Sequence, residues 1–352
     1  MKSSKKIKRY IAVGIAAGLI YPVFGDGFDS YIAFVNGLCI GLFGALLVSL
    51  LEIYFFDRYL NSNQFLLTLF SKTIACTLLL AVVIIFIKSF NDSLYYSVGY
   101  RDYVTGDQFK QFLFNEDFDV ILIYSLVIIG LITFSSQISR KMGRGVLANF
   151  ISGKYHTPKK EEIVLMFIDL KSSTHITESL GAEKYHQFIN EFHKDISDPI
   201  IRFKGRVYRY VGDQIVIFWK ESDSQQYLNV VGLFYDIKNA LDIRSDKYLN
   251  TFGYVPEFRA CCHQGELVLG EIGDVKSQIV FHGPTLYECE AIEKKCKELG
   301  EEFLISSTVH QHLGSDNKFK TIKAGNILRK GQEDHLELYR VISATQEKIP
   351  HN

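Results

Sequence analysis

The stretch Ile163-Val-Leu-Met-Phe-Ile-Asp-Leu-Lys-Ser-Ser-Thr174 decides how the rest of this chain is read. Its apolar run reads as a buried strand that delivers Asp169 to its C-terminal end, where polar residues and then a helix follow. A carboxylate at such a strand end is a natural metal position. Its partner lies in Arg206-Val-Tyr-Arg-Tyr-Val-Gly-Asp-Gln-Ile-Val-Ile-Phe-Trp219, two β-rich runs meeting at Gly212-Asp213 in a tight hairpin. Two aspartates on rigid strands would coordinate hard divalent cations such as Mg²⁺ or Mn²⁺.

Beyond Thr174 the run from His175 to Phe203 places Ile176, Leu180, Tyr185, Phe188, Ile189, Phe192 and Ile196 at helical spacing, which predicts one helix with a packed face. Ser172, Ser173 and Thr174 read as its caps. Its first backbone N–H groups and its dipole would then suit a phosphate group.

Composition is unevenly distributed over the 352 residues, which suggests two domains. Residues 7 to 136 are crowded with apolar and aromatic side chains, and residues 137 to 352 carry most of the charge. The formal net charge of zero averages these halves, and no nucleic-acid partner is expected. The six cysteines fall in no CxxC spacing and read as reduced, buried thiols.

Four apolar runs, Ile7 to Phe24, Tyr31 to Phe56, Phe65 to Ile87 and Phe118 to Ser135, are each close to a membrane span in length. Basic residues cluster before the first, at Lys2, Lys5, Lys6, Lys8 and Arg9, and after the fourth, at Arg140, Lys141 and Arg144. The positive-inside rule then puts both termini in the cytoplasm and makes the chain a multi-pass membrane protein. The segment from Lys88 to Asp117, with Tyr95, Tyr96, Tyr100 and Tyr103, would face outside as a connector with interfacial tyrosines or as a ligand sensor. Glu52 and Lys72 fall in or near apolar runs and are expected to face a protein interior, with dimer contacts satisfying them.

The expected organisation is therefore a four-helix transmembrane domain over 1–136, a connector helix over 137–160 and a catalytic domain over 161–352. The connector carries basic residues suited to membrane lipid, or it sets how two catalytic domains face each other. Helices are expected from Gln225 to Leu249 and from Pro284 to Leu299. Strands are expected at Phe258 to Gly265, Glu266 to Ile272, Gln278 to His282, Phe303 to Ser306 and Leu336 to Ile342, which together suggest an α+β sandwich.

At Phe167-Ile-Asp-Leu-Lys-Ser-Ser-Thr174 and Tyr210-Val-Gly-Asp213 the sequence resembles the class III adenylyl and guanylyl cyclases. Gly265-Glu-Leu-Val-Leu-Gly270 and Leu338-Tyr-Arg-Val341 extend the resemblance over about residues 145 to 345. It implies a ferredoxin-like βααββαβ core and a membrane-bound bacterial cyclase that converts a nucleoside triphosphate, ATP by default, to a 3′,5′-cyclic nucleotide and pyrophosphate. Asp169 and Asp213 would hold two Mg²⁺ or Mn²⁺ ions, and Leu170, Ser172, Ser173 and Thr174 would lie against the substrate. The active form would be a homodimer with sites across its interface.

Other positions depart from the family pattern. Arg209 stands where purine cyclases carry a base-reading lysine, and Val280 where they carry a second, polar base reader. Tyr287 and Ala291 replace an Asn and Arg pair that stabilises the transition state, so Tyr287 is the candidate donor there. Arg329 and Lys330 lie near the place of a triphosphate-binding lysine. These departures leave open a CTP or UTP cyclase of the antiviral-signalling type, and a weak or inactive cyclase-fold receptor or scaffold.

Overall fold

The computed structural model describes residues 2–25, 30–56, 64–114, 116–142, 146–220, 226–313, 319–329 and 334–343. The chain forms two compact units, Met1–Lys141 and Met142–Asn352.

The first unit is helical: α1 (Lys2–Gly25), α2 (Tyr31–Leu51) continued by a π-helical turn (Glu52–Phe56), α3 (Phe65–Tyr95), α4 (Tyr100–Thr105), α5 (Asp107–Phe114) and α6 (Glu116–Met142). Three stretches among the described residues are long and apolar enough to cross a membrane: Tyr31–Phe56, Phe65–Tyr95 and Phe118–Ser139. The expected first span lies in a helix too, α1, which is not among those three stretches. The Lys88 to Asp117 segment is not an open loop, because α3 runs on to Tyr95 and two short helices follow. Tyr103 is buried there, and its hydroxyl donates to Asp92 Oδ2 at 2.9 Å. Glu52 and Lys72 face the interior as expected, 6% and 2% exposed. No dimer contact is needed to satisfy them, since Lys72 Nζ lies 3.1 Å and Lys6 Nζ 3.5 Å from Glu52 Oε1 in the same chain.

The second unit starts with a short helix, α7 (Val146–Ile151), and is built on one mixed sheet with the order β2-β3-β1-β4-β6-β8-β7, β5 pairing with β4. The strands are β1 (Lys159–Leu170), β2 (Arg206–Val211), β3 (Gln214–Lys220), β4 (Phe258–Ile272), β5 (Gln278–His282), β6 (Phe303–Ser306), β7 (Phe319–Leu328) and β8 (His335–Ser343). Between them lie α8 (Ser173–Leu180), α9 (Ala182–Arg202), α10 (Gln226–Asp242), α11 (Ser245–Phe252), α12 (Pro284–Leu299) and α13 (Ser307–Leu313). The central strands β2-β3-β1-β4, with α8 and α9 after β1 and α10 and α11 before β4, make the βααββαβ arrangement.

β1 is apolar on both faces because both are covered. Val164, Met166 and Ile168 pack with Phe188, Phe192 and Ile196 of α9. Ile163, Leu165 and Phe167 pack with Cys289, Ile292 and Cys296 of α12. All six cysteines are free, and all but Cys39 are buried.

Several boundaries differ from the sequence expectation. The single helix after Thr174 is two, divided at Gly181, and the helix expected from Gln225 to Leu249 is two, divided before Ser245. The two strands expected from Phe258 to Ile272 are one, β4. Gly265, read as the break, lies mid-strand, where an added Cβ would come 2.6 Å from Thr285 Oγ1 on α12. That glycine serves a close helix-to-strand approach rather than a turn.

Candidate active site

Asp169 reaches the site as the penultimate residue of β1 and is 8% exposed. β1 pairs with β3 up to Ile168↔Ile215, so Gln214 follows opposite Asp169 at the end of the ladder. The β2–β3 hairpin closes at Val211↔Gln214, which leaves Gly212 and Asp213 as its loop. Gly212 has φ of 62°, a left-handed conformation that glycine adopts without steric cost. The ladder thus carries Asp213 to the strand end that presents Asp169.

Both carboxylates act on one tyrosine of α9. Burial raises the pKa of Tyr185, and negative charge on Asp213 and Asp169 raises it further, against hydrogen bonds to Thr177 and Ser173. His193, two turns on, has its pKa lowered to about 4 by burial, with Asp213 pulling the other way. Its ring packs on Tyr210 of the hairpin at 4.6 Å between centroids. From sequence Tyr185 reads only as one position of the packed helix face, and His193 carries no reading.

The larger omission is on α12. Lys297 Nζ lies 2.8 Å from Asp169 Oδ2 and 2.7 Å from Glu293 Oε1. Glu293 is 9% exposed, and its other oxygen accepts from Gln214 Nε2 at 2.6 Å. Burial pulls the pKa of Lys297 down, but bonds to Asp169 and Glu293 outweigh it and hold the ammonium above its ordinary value. The i,i+4 spacing of Glu293 and Lys297 was legible; their reach to Asp169 and Gln214 was not.

The remaining candidates divide by location. Leu170 is buried and pairs with Phe258. Ser172 takes a left-handed conformation (φ 56°) at the start of α8 and gives no side-chain cap, while Ser173 and Thr174 lie in the first turn rather than before it. That helix start retains its donor character toward an anion.

Arg209 is exposed on β2, with its guanidinium 5.3 Å from the ring centroid of Tyr208. Tyr208 stacks on Phe281 at 3.9 Å, and its hydroxyl accepts from the Phe281 N–H. Val280 precedes Phe281 on β5, so the two base-reading candidates flank one aromatic stack. Tyr287 is 57% exposed in the second turn of α12, and Ala291 follows one turn later.

Arg329 is engaged elsewhere. Its Nε lies 3.2 Å from Glu288 Oε1, and Glu288 Oε2 is 2.6 Å from Nε2 of the buried His263. The bond to His263 comes first among the causes that hold the Glu288 carboxyl below its usual range. Lys330 lies outside the described residues.

Among the described residues no three His, Cys, Asp or Glu side chains converge as a preformed metal cage. Two carboxylates nonetheless fit an ion of the Mg²⁺ type, which commonly takes one or two protein carboxylates and completes its shell with substrate phosphates and water. Tyr185, under the influence of both, ties the pair to one locality.

Comparison with known proteins bears on the family and the fold. Residues 155–343 match the family described as the adenylate and guanylate cyclase catalytic domain. Adenylate cyclase 2 of Rhizobium meliloti (strain 1021) is 30% identical over 193 residues, covering 55% of this chain and 53% of that protein. The adenylate cyclase of Anabaena cylindrica is 22% identical over 192 residues, covering 51% of this chain and 36% of that protein. The chain thus spans about half or less of the length of these relatives. A bacterial light-regulated adenylyl cyclase of known structure superposes with a TM-score of 0.54 at 17% identity, over 65% of this chain and 67% of that one, which shows a shared fold. With its match to more than half the residues, its helical N-terminal unit and its ferredoxin-like sheet, this chain belongs to the class III adenylate and guanylate cyclase family.

Proposed function

We propose that this protein is a membrane-anchored nucleotide cyclase that converts a nucleoside triphosphate, with ATP as the first candidate, to a 3′,5′-cyclic nucleotide and pyrophosphate. The observation that carries the proposal is the delivery of Asp169 and Asp213 to one strand end by the β1–β3 ladder. In the reaction the ribose 3′-oxygen attacks the α-phosphorus, the bond from that phosphorus to the bridging oxygen breaks, and the hydroxyl proton is lost to a base or to solvent. Two divalent ions held by Asp169 and Asp213 would supply Lewis acidity, lowering the pKa of the 3′-hydroxyl and offsetting charge on the phosphates.

The chain's own residues position the substrate. The start of α8 offers backbone N–H groups to phosphate oxygens. Tyr287 can donate one hydrogen bond to the transferring group, and Ala291 can donate none. Arg209 presents a rigid fork of donors suited to a base edge. A homodimer of the cytoplasmic catalytic domains, with Asp169 and Asp213 of one chain facing Arg209 and α12 of the other, gives two equivalent sites. The exposed Tyr210, Val211 and Tyr287 are apolar surface available to that interface.

One feature favours a second reading of the substrate. Val280 offers no polar side chain and Arg209 stands in place of a lysine, so a pyrimidine triphosphate is the next candidate. Product chromatography after incubating detergent-purified full-length protein with Mn²⁺ and each of ATP, GTP, CTP and UTP separates these readings. Cyclic AMP as the main product is expected. A cyclic pyrimidine nucleotide establishes the second reading, and no cyclic product from any of the four reduces the domain to a binding or dimerisation module.

A further inference from the structure

Glu293 and Lys297 sit one turn apart on α12, a spacing that on an exposed helix face is worth a few tenths of a kcal/mol. Their setting here is different. Glu293 is buried, and a buried carboxylate is costly unless its oxygens are paired. Each oxygen has a partner: Oε1 takes Lys297 and Oε2 takes Gln214. Lys297 in turn spans Glu293 and Asp169. The result is a chain of contacts, Asp169–Lys297–Glu293–Gln214, that runs from one metal-site aspartate to the residue directly after the other.

The charges along this relay explain why both residues are needed. A lysine alone would orient Asp169 by binding Oδ2, but would also cancel charge that a dication requires. Glu293 offsets that ammonium, so the group of Asp169, Asp213, Glu293 and Lys297 keeps a formal charge of about −2 at neutral pH. Oδ1 of Asp169 and the carboxylate of Asp213 then remain available to an ion. Groups that orient a metal ligand without touching the metal commonly alter affinity by about 10- to 100-fold when removed.

Resting on the proposed metal role of Asp169 and Asp213, we infer that Glu293 and Lys297 are positioning residues that join the two metal-bearing strand ends through α12, fixing the orientation of Asp169 and the placement of the Gly212-Asp213 loop. Glu293→Gln leaves the ammonium uncompensated beside Asp169, and Lys297→Met frees the carboxylate from its tether. The relay acts as one unit, so the double variant is no weaker than the poorer single variant.

The test is Mn²⁺ binding to the full-length protein in detergent without nucleotide, followed by electron paramagnetic resonance, with thermal unfolding of each variant in parallel. The expected result is an Mn²⁺ Kd about tenfold higher for Glu293→Gln and for Lys297→Met, restored to within about twofold of wild type in Lys297→Arg, which keeps the charge and reach. Unchanged Mn²⁺ affinity in both single variants overturns the inference, as does tighter binding in Lys297→Met, which would make the lysine a competitor of the metal. Weakening that Lys297→Arg fails to restore, together with a lowered Tm, assigns the pair to folding alone and overturns it as well. A wild-type protein that takes up no Mn²⁺, or takes it up equally well after Asp169→Asn, overturns the metal site itself; in the three preceding outcomes the wild type binds Mn²⁺ through Asp169 and the inference falls alone.

Discussion

Two parts of the catalytic domain differ in how their residues are held. The strand ends carrying Asp169 and Asp213 combine a buried carboxylate, a regular β1–β3 register and a tight Gly212-Asp213 loop. The first half of α12, with β5 in front of it, presents Tyr287, Ala291 and Val280, where the family resemblance implies polar or charged groups. The second half of the same helix holds Asp169 through Lys297. One helix therefore holds Asp169 through its second half and presents Tyr287 and Ala291 from its first, so under the proposed function metal binding and substrate choice would rest on separate residues.

The largest expected effect breaks the first part. Asp169→Asn and Asp213→Asn each should reduce cyclic nucleotide formation to background while leaving the folded protein intact, because under the proposed function the two carboxylates would serve one metal pair. Wild-type yields from either variant in the product assay would remove the basis for the contrast. A second experiment asks whether the two parts meet across a dimer. Co-assembly of Asp169→Asn chains with Arg209→Ala chains places both lesions in one site and leaves the other site whole, so roughly a quarter of all sites in a random mixture are undamaged. Activity recovered to about that fraction is expected. Two inactive parents whose verified heterodimer stays inactive would argue that each site is built within a single chain.

Legibility in the sequence followed how local each determinant is. β1 and the hairpin were readable because apolar runs and a Gly-Asp turn specify them within a dozen residues. The span of α12 was readable from Pro284 and the residues around it. The continuity of β4 through Gly265 was not, because the reason for that glycine is Thr285 on another element. β7, which is polar and lies at the sheet edge, lacks the apolar alternation that marks a half-buried strand. In the site, Asp169 and Asp213 stood out by motif, whereas Lys297 became relevant only once α12 was packed along β1 and β4.

A smaller effect concerns α9, behind the hairpin. The pKa of His193 is held at about 4 in the fold against an ordinary 6.5. The unfolded chain therefore binds the extra proton between those values, and stability falls as pH is lowered from 6.5 toward about 4. In His193→Phe, which keeps an aromatic ring against Tyr210, the drop in Tm between pH 7 and pH 5 should be smaller than in wild type, as measured by circular dichroism. An equal drop would mean that His193 contributes no proton linkage. Asp213 opposes the shift only partly, so the effect is expected to persist in Asp213→Asn.

The contact among Lys6, Glu52 and Lys72 limits how the helical unit can move. It ties α1, the π-helical turn after α2, and α3 at one level, with Lys72 almost wholly enclosed. Sliding α3 by one turn, about 5.4 Å, would carry its ammonium past the carboxylate and leave the enclosed Lys72 charge unpaired, while Glu52 kept Lys6. Separating such a pair costs about 3–5 kcal/mol, several times thermal energy. These three helices are therefore expected to travel as one piece, so that any displacement entering at one end of the unit emerges at the other as tilt or rotation of the whole group rather than as a piston stroke of a single helix.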